Sequence, residues 1–201
     1  MLKRRIFIPF LMLLVMQPAA AATDTPPRQV IQEASSKITT AIESRKSELR
    51  ADSAKLYKLV EDIVLPHFDF DFIAKLVLGR AWKNAAPEER TRFTAAFQQL
   101  LVRTYSNALL EYSGEQIKWL ETQASEDPNR VIQRAEVTLA SGQVVPMNYR
   151  MHKTAQGWKV YDINIDAISL VMNYRGTFAG EIRKNGLGSL IERLESKNTA
   201  S

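Results

Sequence analysis

Six side chains in this sequence have the types and spacing for acid–base chemistry. Asp69 and Asp71 stand in the run Phe68-Asp69-Phe70-Asp71-Phe72, Asp162 and Asp166 follow Trp158 at strand-like spacing, and the histidines are His67 and His152. Two carboxylates can act as general acid and base when burial raises the pKa of one of them. The local sequence gives these residues simpler work. Asp69 precedes an apolar run and suits a helix N-cap. His67, after Pro66, reads as a surface or cap residue. His152 falls on the strand face opposite Tyr149 and Met151, which makes it solvent-facing. There is no nucleophile elbow, no Gly-rich phosphate cradle and no metal-ligand spacing.

Composition removes further chemistry. The 201 residues include no Cys, so a disulfide framework, a thiolate metal site and a cysteine nucleophile are all absent. Two histidines are too few for a multi-histidine metal site and leave little for a His-based triad. With 45% apolar and 24% charged residues, the chain reads as one ordinary globular domain rather than a disordered or fibrous one.

The first residues read as an address rather than as part of the fold. Lys3, Arg4 and Arg5 precede an apolar run from Ile6 to Met16, and Ala19 to Ala22 suit signal peptidase. The run is about eleven residues, against roughly 20 for a membrane-spanning helix. Residues 1–22 are therefore expected to be a removed secretory signal, and 23–201 a single exported domain. Removing the signal takes away three basic residues of 27 and no acid, leaving 24 basic against 22 acidic side chains. A net charge of +2 without a basic run argues against nucleic acid. Arg80, Lys83, Arg90 and Arg92 read as a solvated face.

The elements that must position these residues follow from periodicity. A helical part over 29–112 has apolar residues at helical spacing: Val30, Ala34, Ile38 and Ile42, then Leu56, Val60 and Ile63 after a Ser53 cap. A third helix runs from Asp69 to Leu78 and closes at Gly79. The next begins at Pro87 with Glu88 and Glu89 and carries Phe93, Phe97, Leu101 and Tyr105. From 115 to 165 the period changes to two, giving four strands with turns at Asp127-Pro128-Asn129, Ser141-Gly142 and Gln156-Gly157. Helical spacing returns over 169–196, interrupted at Gly186 and Gly188. Helices, then an antiparallel meander, then helices is an α+β arrangement. One sheet face is expected to carry Met147, Tyr149, Met151, Tyr161 and Ile163. A cavity and a packed core give the same periodicity.

An ordered set of short segments resembles one family. It comprises Val64-Leu65-Pro66-His67-Phe68-Asp69-Phe70, Leu78-Gly79-Arg80-Ala81-Trp82 and Pro87-Glu88-Glu89-Arg90. Further on come Tyr149-Arg150-Met151, Gly157-Trp158-Lys159-Val160-Tyr161-Asp162, Ile168-Ser169-Leu170-Val171 and Asn173-Tyr174-Arg175. Over residues 28–195 the chain resembles the MlaC, or toluene-tolerance (Ttg2-type), family of periplasmic phospholipid-binding transport proteins. It departs at Ala86, where relatives often carry a Thr that can cap the helix.

The resemblance implies helices packed on the concave face of a four-stranded antiparallel sheet, a nuclear-transport-factor-two-like subdomain. An added helical subdomain would complete the enclosure of an apolar pocket. It implies a soluble periplasmic carrier of a Gram-negative bacterium that moves phospholipid between inner and outer membranes and maintains outer-membrane lipid asymmetry. The implied partners are an inner-membrane ABC transporter complex with a ring-forming substrate-binding subunit and an outer-membrane lipoprotein–porin complex. No cofactor, catalytic residue, metal or nucleic acid is expected, phospholipid being the cargo. Apolar phase together with the resemblance puts Phe72, Leu76, Phe97, Leu101, Tyr105, Met147, Tyr149, Met151, Ile163, Ile168, Val171 and Tyr174 at the acyl chains. Two other readings stand beside this one. One is an isomerase or hydratase of the cone-shaped α+β class using Asp162 or Asp166; the other is a periplasmic chaperone or adaptor with an exposed apolar groove.

Overall fold

The computed structural model describes residues 25–111, 116–139 and 141–199, so the expected signal at 1–22 lies outside the described residues. Helix α1 (Pro27–Ala51) starts on Pro27, whose missing N–H costs nothing at a first helical position. Its buried stripe includes Ile31, Ala34, Ile38 and Ile42, and it kinks at Arg45 (φ −130°, ψ 18°). Helix α2 (Ser53–Ile63) is capped by Asp52 rather than Ser53, because the Asp52 carboxylate accepts from the N–H groups of both Ala54 and Lys55 (3.0 and 3.3 Å). A 3₁₀ turn, Leu65–His67, leads on to α3 (Phe70–Leu78).

Helix α3 ends at Gly79, with φ +54°, and a short α4 (Arg80–Asn84) follows that the sequence does not announce. A β-carbon on Gly79 would also stand 3.2 Å from the Arg175 guanidinium, so glycine is favoured there twice over. Helix α5 (Pro87–Glu111) keeps half a capping box: the Ala86 N–H donates to Glu89 (2.8 Å), and Ala86 has no hydroxyl for the other half. Its buried side drifts around the helix, from Phe93, Ala96 and Phe97 to Val102, Ser106 and Leu110. The helix therefore serves two separate clusters.

The strands are β1 (Gln116–Ala124), β2 (Arg130–Thr138), β3 (Val144–Thr154), β4 (Gly157–Ile165) and a two-residue β5 (Ile168–Ser169). They form one antiparallel sheet in sequence order. The expected count of four is thus corrected to five. The turn into β5 is Asp166-Ala167, both with positive φ, and Ser169 sits where a helix start obscures a short strand pairing. The last helix, α6 (Leu170–Thr199), bends only at Gly186 (φ 83°); Gly188 stays helical. Across the bend, Glu181 takes a two-pronged ion pair from Arg193 (2.6 Å each), which lowers the Glu181 pKa.

Three apolar clusters result. One joins α3, α5 and α6 around Phe93, Phe97, Phe178, Leu190, Ile191 and Leu194, with Tyr161 of β4 at its margin. A second joins α1, α2 and α5 through Ile38, Ile42, Leu56, Val60, Val102 and Leu110. The third lies on the sheet, where Ile31 of α1 packs with Met151 and Val160.

Candidate functional site

One face of the sheet is the feature to build from. Partners across a ladder point to the same side, so the register sorts the strand residues into rows. Ile117, Val137 and Val145 form one row, and Ala124, Val131, Met151 and Val160 another. Between them, Trp119, Ala135, Met147, Ile165 and Ile168 make a row that crosses all five strands. A fourth row is Thr122, Gln133, Tyr149 and Ile163. These four rows contain no charged side chain; a fifth on the same face, at the end of the β3–β4 hairpin, pairs exposed Lys153 with Trp158. Their polar members satisfy each other: Thr122 donates to the Gln133 side-chain carbonyl oxygen (2.6 Å), and the Gln133 amide donates to the Leu120 carbonyl (2.9 Å). Helix α1 lies over β1 and β2, yet Trp119, Met147, Tyr149, Ile163 and Ile165 remain only half-buried.

A bulge in β4 sets which residues belong to this face. Arg150 pairs with Asp162 but Met151 pairs with Val160, so Tyr161 is the extra residue and turns to the other side. The expectation that Tyr161 shares a face with Tyr149 and Ile163 is therefore corrected. His152 also departs from expectation. It is on the face opposite Met151, but that face is covered: its ring stacks on Phe72 (4.7 Å between centroids) and its Nε2 lies 2.9 Å from Asp69 Oδ2.

The helices supply a second apolar group. Leu76, Phe97, Leu101, Val171 and Tyr174 all belong to the α3–α5–α6 cluster, with Tyr174 edge-on to Phe97 (5.1 Å). Tyr105 is hydrogen-bonded to Tyr174, and burial, reinforced by that bond, pushes its phenol up to about 12. Of the twelve positions expected at the acyl chains, these six lie on the helices and Met147, Tyr149, Met151 and Ile163 on the uncharged rows of the sheet face. Phe72 lies on the opposite sheet face with His152 and Tyr161. Ile168 is at the sheet edge and 61% exposed, so it does not line an interior. Trp119 and Ile165 belong to the face and were not singled out by sequence, although Ile165 alternates with Ile163 and Trp119 with Ile117.

The candidate acids have structural partners. Asp162, almost fully buried, accepts from Ser169 Oγ (2.6 Å) and the Val171 N–H (3.1 Å), fastening the start of α6 to β4. Asp166 is exposed in the turn before β5. Asp69 Oδ1 accepts from the Phe72 N–H (2.9 Å) as the cap of α3. Within the basic set, Arg90 donates to the Trp82 carbonyl (3.1 Å) and lies over its ring, while Arg92 pairs with Glu195 through two bonds (3.0 and 2.7 Å). Two open clefts are outlined by described residues. One, of about 320 Å³, lies between Arg45 and the α2 residues Lys55, Lys58 and Asp62. The other, of about 670 Å³, lies among Asp69, Asp71, Thr94, Gln98 and Lys159. Neither is lined by any of the twelve positions. No group of His, Asp and Glu among the described residues is arranged to hold a metal ion.

The fold that presents this largely apolar sheet face is shared with characterised proteins. Residues 32–196 match the MlaC protein family. The chain belongs to the MlaC family. It is 26% identical over 179 residues to the intermembrane phospholipid transport system binding protein MlaC of Haemophilus influenzae, covering 87% of this chain and 83% of that one. It is 27% identical over 177 residues to toluene tolerance protein ttg2D of Pseudomonas putida, covering 88% and 82%. A solved phospholipid-binding protein from Ralstonia solanacearum, in complex with a phospholipid, superimposes with a TM-score of 0.78 at 30% identity, covering 86% of this chain and 96% of that one. This MlaC-family chain has no described helix long and apolar enough to cross a membrane.

Proposed function

We propose that this protein is a periplasmic carrier that holds phospholipid by its acyl chains and shuttles it between the inner and outer membranes, maintaining outer-membrane lipid asymmetry. The observation that carries the reading is the four adjoining rows of the sheet face that hold no charge, the one lysine of the face, Lys153, standing exposed at the hairpin end. An acyl chain gains about 0.8 kcal/mol per methylene removed from water, and only a wall without charges can supply that over many carbons. The chains lie between Met147, Tyr149 and Ile163 on the sheet and Leu101, Tyr105 and Tyr174 on the helices, the two groups parting to admit them. Residues 1–22 direct export and 23–201 act as one lipid-binding domain. The headgroup stays at the surface. The protein works as a binder rather than a catalyst: Asp162, the most buried acid among the described residues, is committed to holding α6. Loading and release are the work of an inner-membrane ABC transporter complex with a ring-forming subunit and an outer-membrane lipoprotein–porin complex.

Mass spectrometry of the protein purified without detergent, native and after denaturing extraction, tests this. Stoichiometric phospholipid in both is the expected result. A lipid-free protein that also takes up nothing from phospholipid vesicles would overturn it.

A further inference from the structure

The five-strand row ends at the surface. From Ala135, fully buried, it runs through half-buried Met147 and Ile165 to Ile168, 61% exposed on the edge strand. One turn into α6, Met172 is 57% exposed. Between these two, Val171 turns inward and its N–H is held by Asp162, so the same short segment offers one apolar side chain to the helical cluster and two to solvent. Tyr174 follows, in contact with Phe97 and hydrogen-bonded to Tyr105. The sheet group and the helical group thus come together along the chain at β5. Ile168 and Met172 are the two most exposed large apolar side chains among the described residues.

We infer that the β5–α6 junction is the portal through which the acyl chains enter and leave, with Ile168 and Met172 as its sill. The inference rests on the proposed carrier function and deepens it. The occupant is a phospholipid acyl chain in transit. The row beneath Ile168 is a continuous apolar track, free of charge from β1 to the edge, so a chain sliding along it meets no polar side chain. A two-residue edge strand suits the place, because few ladder bonds hold it and the edge lies open beyond it. Methionine at position 172, in the first turn of α6 and four residues on from Ile168, adapts to chains of different length and unsaturation.

The test is the rate at which the purified protein carries phospholipid with a pyrene-labelled acyl chain between phosphatidylglycerol–phosphatidylcholine vesicles. Ile168→Asn and Met172→Asn alter exposed side chains, so folding should be kept, and circular dichroism checks it. Each is expected to slow transfer on the order of tenfold, the effect of a couple of methylenes meeting a wet amide instead of a dry side chain. The lipid bound at equilibrium should not change, and Ile168→Leu should transfer at the wild-type rate. Val144→Asn is the control: Val144 is 52% exposed but on the other face of β3, and its change should leave the rate alone. Wild-type rates in both sill variants, or equal slowing in Val144→Asn, would overturn the portal while leaving the carrier intact. A wild-type protein that carries no lipid would instead remove the carrier reading itself.

Discussion

His152 Nε2 lies 2.9 Å from Asp69 Oδ2, joining β3 to the cap of α3 across 83 positions of sequence. The other carboxylate oxygen, Oδ1, accepts from the Phe72 N–H, and the Asp69 N–H donates to the Val160 carbonyl. One residue thus fixes α3 to the stretch of β4 that β5 does not pair with and aims Phe72 at the His152 ring. Asp69→Ala is expected to cost about 2 kcal/mol, roughly 1 for the cap and 1 for the partly buried pairing. Asp69→Asn retains an oxygen for the cap and should lose about half as much. Denaturant unfolding of the two variants measures the difference: an Asp69→Asn variant as stable as wild type would mean that the pairing with His152 contributes nothing, and equal losses in both variants that the cap contributes nothing.

The Tyr105 phenol gives a pH dependence with a definite sign. Its ordinary value is 10.0 and in the folded protein it lies near 12, chiefly through burial. The unfolded chain therefore releases this proton first. The stabilisation is complete below pH 10 and is lost as pH rises through the interval to about 12. In an ultraviolet titration of phenolate, Tyr105→Phe should remove a late-titrating component. Loss of an early component instead would show that Tyr105 is not buried against Tyr174.

Asp162 distinguishes a cap from a catalyst. Asp162→Ala strands the buried Val171 N–H and takes the acceptor from the half-buried Ser169 hydroxyl, which still receives the Met172 N–H, at about 2–3 kcal/mol in all. Asp162→Asn keeps an acceptor for Val171 and should fold with a smaller loss, about 1–2 kcal/mol. Bound lipid in the folded Asn variant should match wild type. Failure to bind at full folding would give Asp162 a role beyond fastening α6.

Much of this arrangement is legible from residue types. Pro87, the two glutamates after it and the Phe93–Phe97–Leu101 spacing specify α5, and Asp69 before Phe70 specifies the cap of α3. Three features are not legible, for physical reasons. Alternation assigns a face only while the ladder is regular, and the β4 bulge reverses it at Tyr161. Exposure of His152 depends on α3 returning over the sheet, a contact between positions 83 apart. Ile168 has the apolar character of a core residue, but its strand is two residues long and, among the described residues, nothing lies beyond that edge to cover it.

On the proposed carrier reading, charge placed on the surfaces assigned to the acyl chains should empty the site without unfolding the protein, provided the position is not a keystone of the core. Leu101 and Tyr149 meet that condition, being half-buried, whereas Val171 is buried beside the Asp162 cap. Leu101→Arg and Tyr149→Arg are expected to reduce retained phospholipid at least tenfold while remaining folded, since an unpaired guanidinium wets the acyl-chain wall. Val171→Arg should lower the melting temperature instead. Native mass spectrometry beside thermal unfolding separates the two effects; full lipid occupancy in both Leu101→Arg and Tyr149→Arg would remove those residues from the site.

The turn that delivers Ile168 to the edge is strained. Asp166 and Ala167 both have positive φ (47° and 64°), the backbone of a two-residue hairpin turn that usually takes Asn-Gly or Asp-Gly. Aspartate tolerates this region because its side chain can bond locally, but alanine has no such compensation and its β-carbon crowds the following carbonyl, at about 1–2 kcal/mol. Glycine removes that crowding but loses part of the gain through a more flexible unfolded chain. Ala167→Gly is therefore expected to stabilise the protein by about 0.5–1 kcal/mol. Asp166→Gly should do less, the native residue being the better suited of the two. Thermal unfolding of both variants decides it: a destabilised Ala167→Gly would mean that the turn is held in this shape by contacts of the alanine methyl rather than against its preference.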